Sequence, residues 1–267
     1  MRSCLHIAAL ILKTAKRDKL LHAIIVVGLL IILFVPAFSL FSMRQVQELS
    51  ITLAASTLSF VLLVVTLLTG ATSIWRDIER KYTNALLGLP LSRQAYLLGK
   101  YLGIAAIIGI ISILIGCASL VAIKMAAAQY KSDMPILWGT LLVTILFDTL
   151  KYLLLLAFAL LFSTVSTSFY FSFFSTIAIY LTGMASQEVF EYIHGDYAHK
   201  LSPISLFVIK GLYYLLPNFS AFNLKVYAIY SLKLQLSGLL LTIGYFLVYT
   251  ALVLCLAVWS FSRRELL

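Results

Sequence analysis

One uncharged run limits what this chain can fold into more than any other feature. No residue between Lys151 and Glu188 carries a charge, so positions 152–187 form a stretch of 36 uncharged residues. A single helix of that length would be about 54 Å long, well beyond the membrane hydrocarbon thickness of about 30 Å. The run therefore predicts two membrane-spanning helices, and the polar cluster Ser163–Ser168 is the expected turn between them.

The composition agrees with a protein that lives in the membrane. Only 11% of the 267 residues are charged and 62% are hydrophobic, whereas about 25% of the residues in a soluble domain are charged. We therefore expect a multi-pass membrane protein. The net charge of +10 does not indicate a nucleic-acid partner, because the basic residues lie mainly between apolar runs, where membrane topology explains them.

Six apolar segments are long enough to cross a membrane. We therefore predict an all-α integral membrane protein with one transmembrane domain over residues 1–267. The predicted spans are Leu20–Phe41, Ile51–Ile74, Tyr101–Ile123, Ile136–Phe162, Phe169–Ser186 and Leu234–Phe261.

The distribution of Lys and Arg predicts the orientation. Residues 1–19 and residues 75–100 each hold five basic side chains, and such clusters favour the cytoplasmic side. We expect a plasma (inner) membrane protein with both termini in the cytoplasm. The turn at Ser163–Ser168 has no basic residue, so the charge rule does not assign its side.

Two segments do not fit a simple span. In residues 1–19, apolar positions at Leu5, Ala8, Ala9 and Leu12 follow helical spacing and indicate an interfacial helix; the alternative is an ordinary positive flank. Residues 187–233 are too long for a tight connection. We expect an external loop there that contains a short helix or a re-entrant segment.

Two groups of polar side chains could carry chemistry. Asp148 and Lys151 lie three residues apart within the fourth span. They could act as an ion relay or form a structural pair. His194, Asp196 and His199 are weak candidates for metal ligands on the external side, and a solvated polar loop is the alternative reading. We expect no metal and no catalytic residue in this chain.

A charged segment follows the second span. Over Trp75–Leu89 the apolar residues fall on one helical stripe, and Gly88 and Pro90 would end the helix. Ser92 could cap the next helix. The pattern predicts an amphipathic cytoplasmic helix tied to two spans, with a solvated loop as the alternative.

The segment contains the pattern E-R-x-x-T-x-x-x-L-x-x-P-x-S-R, with G-K six residues after its last Arg. The residues in this pattern are Glu79, Arg80, Thr83, Leu87, Pro90, Ser92, Arg93, Gly99 and Lys100. The pattern resembles the signature of ABC-2 type transporter permeases. The family often has Gly before the Thr, where this chain has Tyr82.

The resemblance implies a permease subunit, usually of an exporter, with an N-terminal elbow helix over 1–19. It implies a coupling helix over 75–91 that contacts a cytoplasmic ATPase. The implied coupling residues are Arg76, Asp77, Glu79, Arg80, Thr83, Leu87, Pro90, Ser92 and Arg93.

The resemblance also implies two ATPase subunits and a second permease chain, identical or related, surrounded by membrane lipids. ATP and Mg would bind in the partner ATPase, because this chain has no phosphate-binding loop. Two alternatives stay open. One is an ion-coupled secondary transporter that uses Asp148 and Lys151; the other is an intramembrane lipid-acting enzyme that uses Glu191–His199.

Overall fold

The computed structural model describes residues 2–42, 45–79, 92–129, 135–166, 168–194, 209–211, 213–214 and 216–263. These residues are helical with short connections, and no strand occurs among them. The helices are α1 (Arg2–Ala15), α2 (Lys19–Ser39), α3 (Val46–Glu79), α4 (Arg93–Gln129), α5 (Trp138–Val165), α6 (Phe169–His194), α7 (Lys225–Ile229) and α8 (Leu236–Arg263).

Six of these helices, α2 to α6 and α8, are long and apolar enough to cross a membrane. They match the six predicted spans, so the protein is an all-α multi-pass membrane protein. α3 has 34 residues and α4 has 37, which makes them roughly 51 and 56 Å long and longer than the bilayer core. Both helices therefore extend beyond the hydrocarbon.

The uncharged run turns where the sequence predicted. α5 ends at Val165 and α6 begins at Phe169, and the backbone N–H of Ser168 donates to the Ser166 hydroxyl at 3.0 Å. At the end of α5 the Ser163 hydroxyl accepts a hydrogen bond from the Trp75 N–H at 3.2 Å. The turn therefore lies at the same end of the bundle as the charged end of α3.

The core of the bundle forms around α3 and α5. α5 has the largest buried share of the six spans, and α3 packs against α2, α4, α5 and α6. A Cβ atom added at Gly70 would lie 2.7 Å from the Ala159 Cβ, so the two backbones approach closely at that glycine. Small residues permit such contacts in membrane helices.

Part of the predicted external loop packs on the bundle. Its described portion contains a 3₁₀ turn at Ser220–Phe222 followed by α7. Phe219 is fully buried, and its backbone N–H donates to the Gly183 carbonyl of α6 at 3.0 Å. Ala228 of α7 is buried in a small apolar cluster with Ile51 of α3. Residues 195–208, 212 and 215 of this loop lie outside the described residues.

Gly183→Ala should destabilise the protein by about 1–3 kcal/mol, because the new methyl would lie 2.5 Å from the Pro217 carbonyl oxygen. The thermal unfolding midpoint of the detergent-solubilised chain measures this effect. Gly109→Ala is the matched control, since an added Cβ there meets no atom within 4 Å. Unfolding of Gly183→Ala at the wild-type temperature would contradict this packing.

Candidate functional site at the charged end of α3 and α4

An ion pair joins the C-terminal end of α3 to the first turns of α4. The Lys100 ammonium lies 2.6 Å from the Asp77 carboxylate, and the Tyr96 hydroxyl donates to the same carboxylate oxygen at 2.5 Å. Lys100 also donates to the Ser73 carbonyl. We call these four residues the α3–α4 junction. It ties the two helices together on either side of the segment 80–91.

Arg93 connects the start of α4 to the end of α8. Its guanidinium donates to the carbonyl of Phe261 at 3.2 Å and to that of Ser262 at 2.9 Å. The last carbonyls of a helix lack partners within the helix, so a cation there satisfies them and complements the helix dipole. The Tyr96 and Phe261 rings stack with centroids 5.7 Å apart. The ends of α3, α4 and α8 are therefore held as one unit.

The N-terminal helix packs on the same end of α4. A Cβ atom at Gly99 would lie 2.8 Å from the Ile7 Cβ, and one at Gly103 would lie 2.9 Å from the Ile11 Cβ. These glycines allow α1 to lie directly against the α4 backbone. α1 covers most of the region predicted as an interfacial helix.

The predicted coupling residues fall into three groups: exposed residues, residues that contact this chain's own helices, and residues outside the described part of the chain. Arg76 and Glu79 are exposed, whereas Asp77 faces α4 in the junction. Ser92 caps α4, because its hydroxyl accepts from the Ala95 N–H at 3.2 Å, as the sequence predicted. Arg80, Thr83, Leu87 and Pro90 lie outside the described residues.

The first residues of the predicted amphipathic helix, Trp75–Glu79, are helical and continue α3, which runs without a break from Val46 to Glu79. The rest of that predicted helix lies outside the described residues. The hydrogen-bonded backbone continues past the apolar residues because the polar residues that follow, such as Arg76 and Glu79, are good helix formers.

The predicted pair of Asp148 and Lys151 is present and buried within α5. The side chains form an ion pair and are only 5% and 2% exposed. The Ser59 hydroxyl of α3 donates to the other Asp148 carboxylate oxygen at 2.6 Å. The Lys151 ammonium lies 4.6 Å from the centre of the Tyr152 ring. Both charges are thus compensated by fixed neighbours.

A third charge approaches this pair from the segment between α6 and α8. Lys225 of α7 and Asp148 line the same small cavity of about 20 Å³. Burial lowers the pKa of the Lys225 ammonium, and the Asp148 carboxylate opposes that shift. α7 is therefore within electrostatic reach of the buried pair.

The structure leaves the metal candidates untested. His194 is the last residue of α6, and nothing is known of its side chain, while Asp196 and His199 lie outside the described residues. In the parts of the chain that are described, no three His, Cys, Asp or Glu side chains cluster as a metal site.

Sequence reasoning missed Tyr96 and Ser59 as partners of the charged groups. Tyr96 lies four residues before Lys100 on α4, and this spacing places both side chains on one face of the helix. That signal was available in the sequence. Ser59 gave none, because its contact with Asp148 joins residues 89 positions apart.

A cavity of about 880 Å³ lies beside the junction. Residues of α1, α2, α3 and α4 line it, among them Ile11, Leu21, Thr69 and Ile107. Arg76, Asp77 and Lys100 also border it. The cavity thus combines apolar walls with charged groups at one end of the bundle.

Comparison with known proteins identifies the family. No curated protein matches the sequence. A family model described as ABC-2 family transporter protein matches residues 7–266. That match covers the six spanning helices and the charged end that joins α3 to α4, and the chain therefore belongs to the ABC-2 family of transporter proteins.

Proposed function

We propose that this chain is the permease subunit that couples ATP hydrolysis by a separate cytoplasmic ATPase to the export of a substrate. Family membership and the six spanning helices support the permease part of the proposal. The proposed coupling element is the segment 75–91, with residues 1–19 as an elbow helix and residues 187–233 as an external loop.

The observation that carries the coupling proposal is the bonding between the two helices that flank residues 80–91. α3 ends at Glu79, α4 begins at Arg93, and the α3–α4 junction connects them. A force applied to this segment is therefore transmitted to two spans. The bonds from Arg93 extend the transmission to α8.

The proposed contact with the ATPase uses the exposed face of this end. Arg76 and Glu79 are exposed and offer one charge of each sign. Arg80, Thr83, Leu87 and Pro90 follow in the segment that matches the family signature. Asp77, Ser92 and Arg93 contact this chain's own helices instead, so we assign them to transmission.

The working complex would contain two ATPase subunits and two permease chains, identical or related. ATP and Mg would bind in the ATPase subunits. Closure of the ATPase pair on ATP would press on segment 80–91 of each permease, and the rigid end formed by α3, α4 and α8 would move as a body. The basic residues of 1–19 and 75–100 favour a cytoplasmic location for this end and an inner-membrane location for the chain.

Gentle purification of the tagged chain from its native membrane tests the proposal. We expect a soluble subunit to co-elute with ATP hydrolysis activity. The Glu79→Ala, Arg80→Ala double variant should reduce both, because it removes charges from the proposed contact, where losing one partner of a close charge pair costs about 2–5 kcal/mol of binding.

The matched control is Lys124→Ala, which removes an exposed charge at the opposite end of α4. It should leave co-elution and hydrolysis unchanged. If the tagged wild-type chain is purified from membranes in which it is active and no ATPase co-elutes with it, the proposal is wrong.

A further inference from the structure

We propose that the cavity between α1, α2, α3 and α4 is a binding site for one anionic phospholipid from the surrounding bilayer. The acyl part would lie among the apolar walls, and the phosphate would lie near Arg76 and the connection between α1 and α2. This inference does not depend on the proposed function.

The cavity has the size and lining that an amphiphile needs. Its volume of about 880 Å³ lies within the range of about 300–1,000 Å³ that is typical of sites for small organic ligands. Ile7, Ile11, Ile24 and Val65 contribute apolar walls from three helices. The apolar part of this space accepts hydrocarbon at little cost in polar desolvation, because the charged groups lie at one end of it.

The bilayer can reach this cavity from the side. Leu10 of α1 and Leu20 of α2 both line it, and each side chain is 55% exposed. Exposed leucines at the rim of a membrane protein face lipid tails. A phospholipid chain can therefore enter between the two helices without crossing water.

The charge around the rim selects an anionic head group. Arg76 lines the cavity, is exposed and forms no ion pair with any of the described residues. Asp18 also lines the cavity, and its neighbours in the sequence, Lys16, Arg17 and Lys19, are exposed where α1 meets α2. Basic pockets between helices on the cytoplasmic side attract anionic head groups, and the guanidinium group binds phosphate with paired hydrogen bonds.

The two acidic residues at the cavity do not oppose this binding strongly. The Asp18 carboxylate accepts hydrogen bonds from the backbone N–H of Leu20 at 3.0 Å and of Leu21 at 3.4 Å. The Asp77 carboxylate is paired with Lys100 at 2.6 Å. The Asp77 charge is therefore balanced by Lys100. The Asp18 charge is hydrogen-bonded but not neutralised, and the exposed Arg76 together with the exposed basic neighbours of Asp18 outnumbers it.

Native mass spectrometry of the delipidated, full-length chain tests the site. The chain is titrated with phosphatidylglycerol and, separately, with phosphatidylcholine that carries the same acyl chains. We expect one phosphatidylglycerol per chain to bind before any phosphatidylcholine does. Arg76→Gln should weaken phosphatidylglycerol binding by about fivefold, as the loss of one basic side chain near a lipid surface predicts, whereas Arg76→Lys should retain the preference.

A second variant tests the cavity itself. Thr69→Trp places a large side chain in the lining and should abolish the bound lipid. Phe60→Trp is its control, because Phe60 is 58% exposed on the same helix away from the cavity. Lys124→Gln is the control for loss of a charge.

Two results would overturn the proposal. One is equal binding of both lipids by the wild type. The other is unchanged phosphatidylglycerol binding by Thr69→Trp, provided that the variant elutes from gel filtration as the wild type does.

Discussion

Lys151→Met alone should lower the free energy of unfolding by about 3–5 kcal/mol, because it leaves the buried Asp148 carboxylate without its cation. The residual hydrogen bond from Ser59 cannot neutralise the charge. The Asp148 side chain is only 5% exposed, so water does not compensate for the loss. The thermal unfolding midpoint of the purified chain in detergent measures the effect.

Replacing both partners should restore most of the stability. In the Asp148→Leu, Lys151→Met double variant neither charge of this pair remains, and such exchanges are often neutral or stabilising by about 1–4 kcal/mol. The Ser59 hydroxyl can then return to a carbonyl of its own helix. A double variant that is less stable than Lys151→Met alone would contradict the structural role of this pair.

The same double variant separates the permease proposal from the ion-coupled alternative. If the pair is structural, the double variant should complement a strain that lacks the chain. An ion-coupled transporter needs groups that bind and release charge within the membrane, so under that alternative the double variant should fail to complement although it folds.

Asp77→Asn is expected to weaken the α3–α4 junction without removing the proposed contact with the ATPase. Lys100 is 6% exposed, and in the variant it keeps the Ser73 carbonyl, the Tyr96 ring and a neutral amide oxygen but no counter-charge. We expect a loss of about 1–3 kcal/mol in stability, since a hydrogen bond between two charged groups is replaced by a weaker one. On the proposed function, the variant should still bind the ATPase but transmit less of its movement.

A double-mutant cycle of Asp77→Asn with Lys100→Met measures the pair directly. The expected coupling energy is about 0.5–3 kcal/mol, which is the range for residues in contact. Glu79→Gln is the matched control, because it removes an exposed carboxylate from the same helical turn. It should leave stability unchanged and weaken binding of the ATPase. Equal effects of Asp77→Asn and Glu79→Gln on both measurements would refute this division of roles.

The spans could be predicted from sequence because hydrocarbon demands long apolar runs. The need for a turn followed from the length of the uncharged run and its position from the polar cluster Ser163–Ser168, and the structure confirms both. The ends of the spanning helices were harder to predict. The second span was expected over Ile51–Ile74, and α3 covers Val46–Glu79, because hydropathy detects only the part of a helix that lies in lipid.

The sequence predicts contacts between residues that are close together in the chain but not contacts between separate helices. The Asp148–Lys151 pair followed from a spacing of three residues within one helix. The bond of Lys100 to Asp77 joins two antiparallel helices, and that of Arg93 reaches α8 across 168 residues. Helical periodicity contains no information about such partners, because they depend on how separate helices pack.

The long separation between Arg93 and α8 also matters while the chain is being made. A ribosome that adds about 5–20 residues per second needs roughly ten to thirty seconds to synthesise the 168 residues between Arg93 and Phe261. During that interval α4 can insert, but its arginine has no helix end to bind. The charged end of the bundle is therefore completed only after α8 has been synthesised. A chain interrupted before that point would lack these contacts and would expose this end to partner proteins and to membrane proteases.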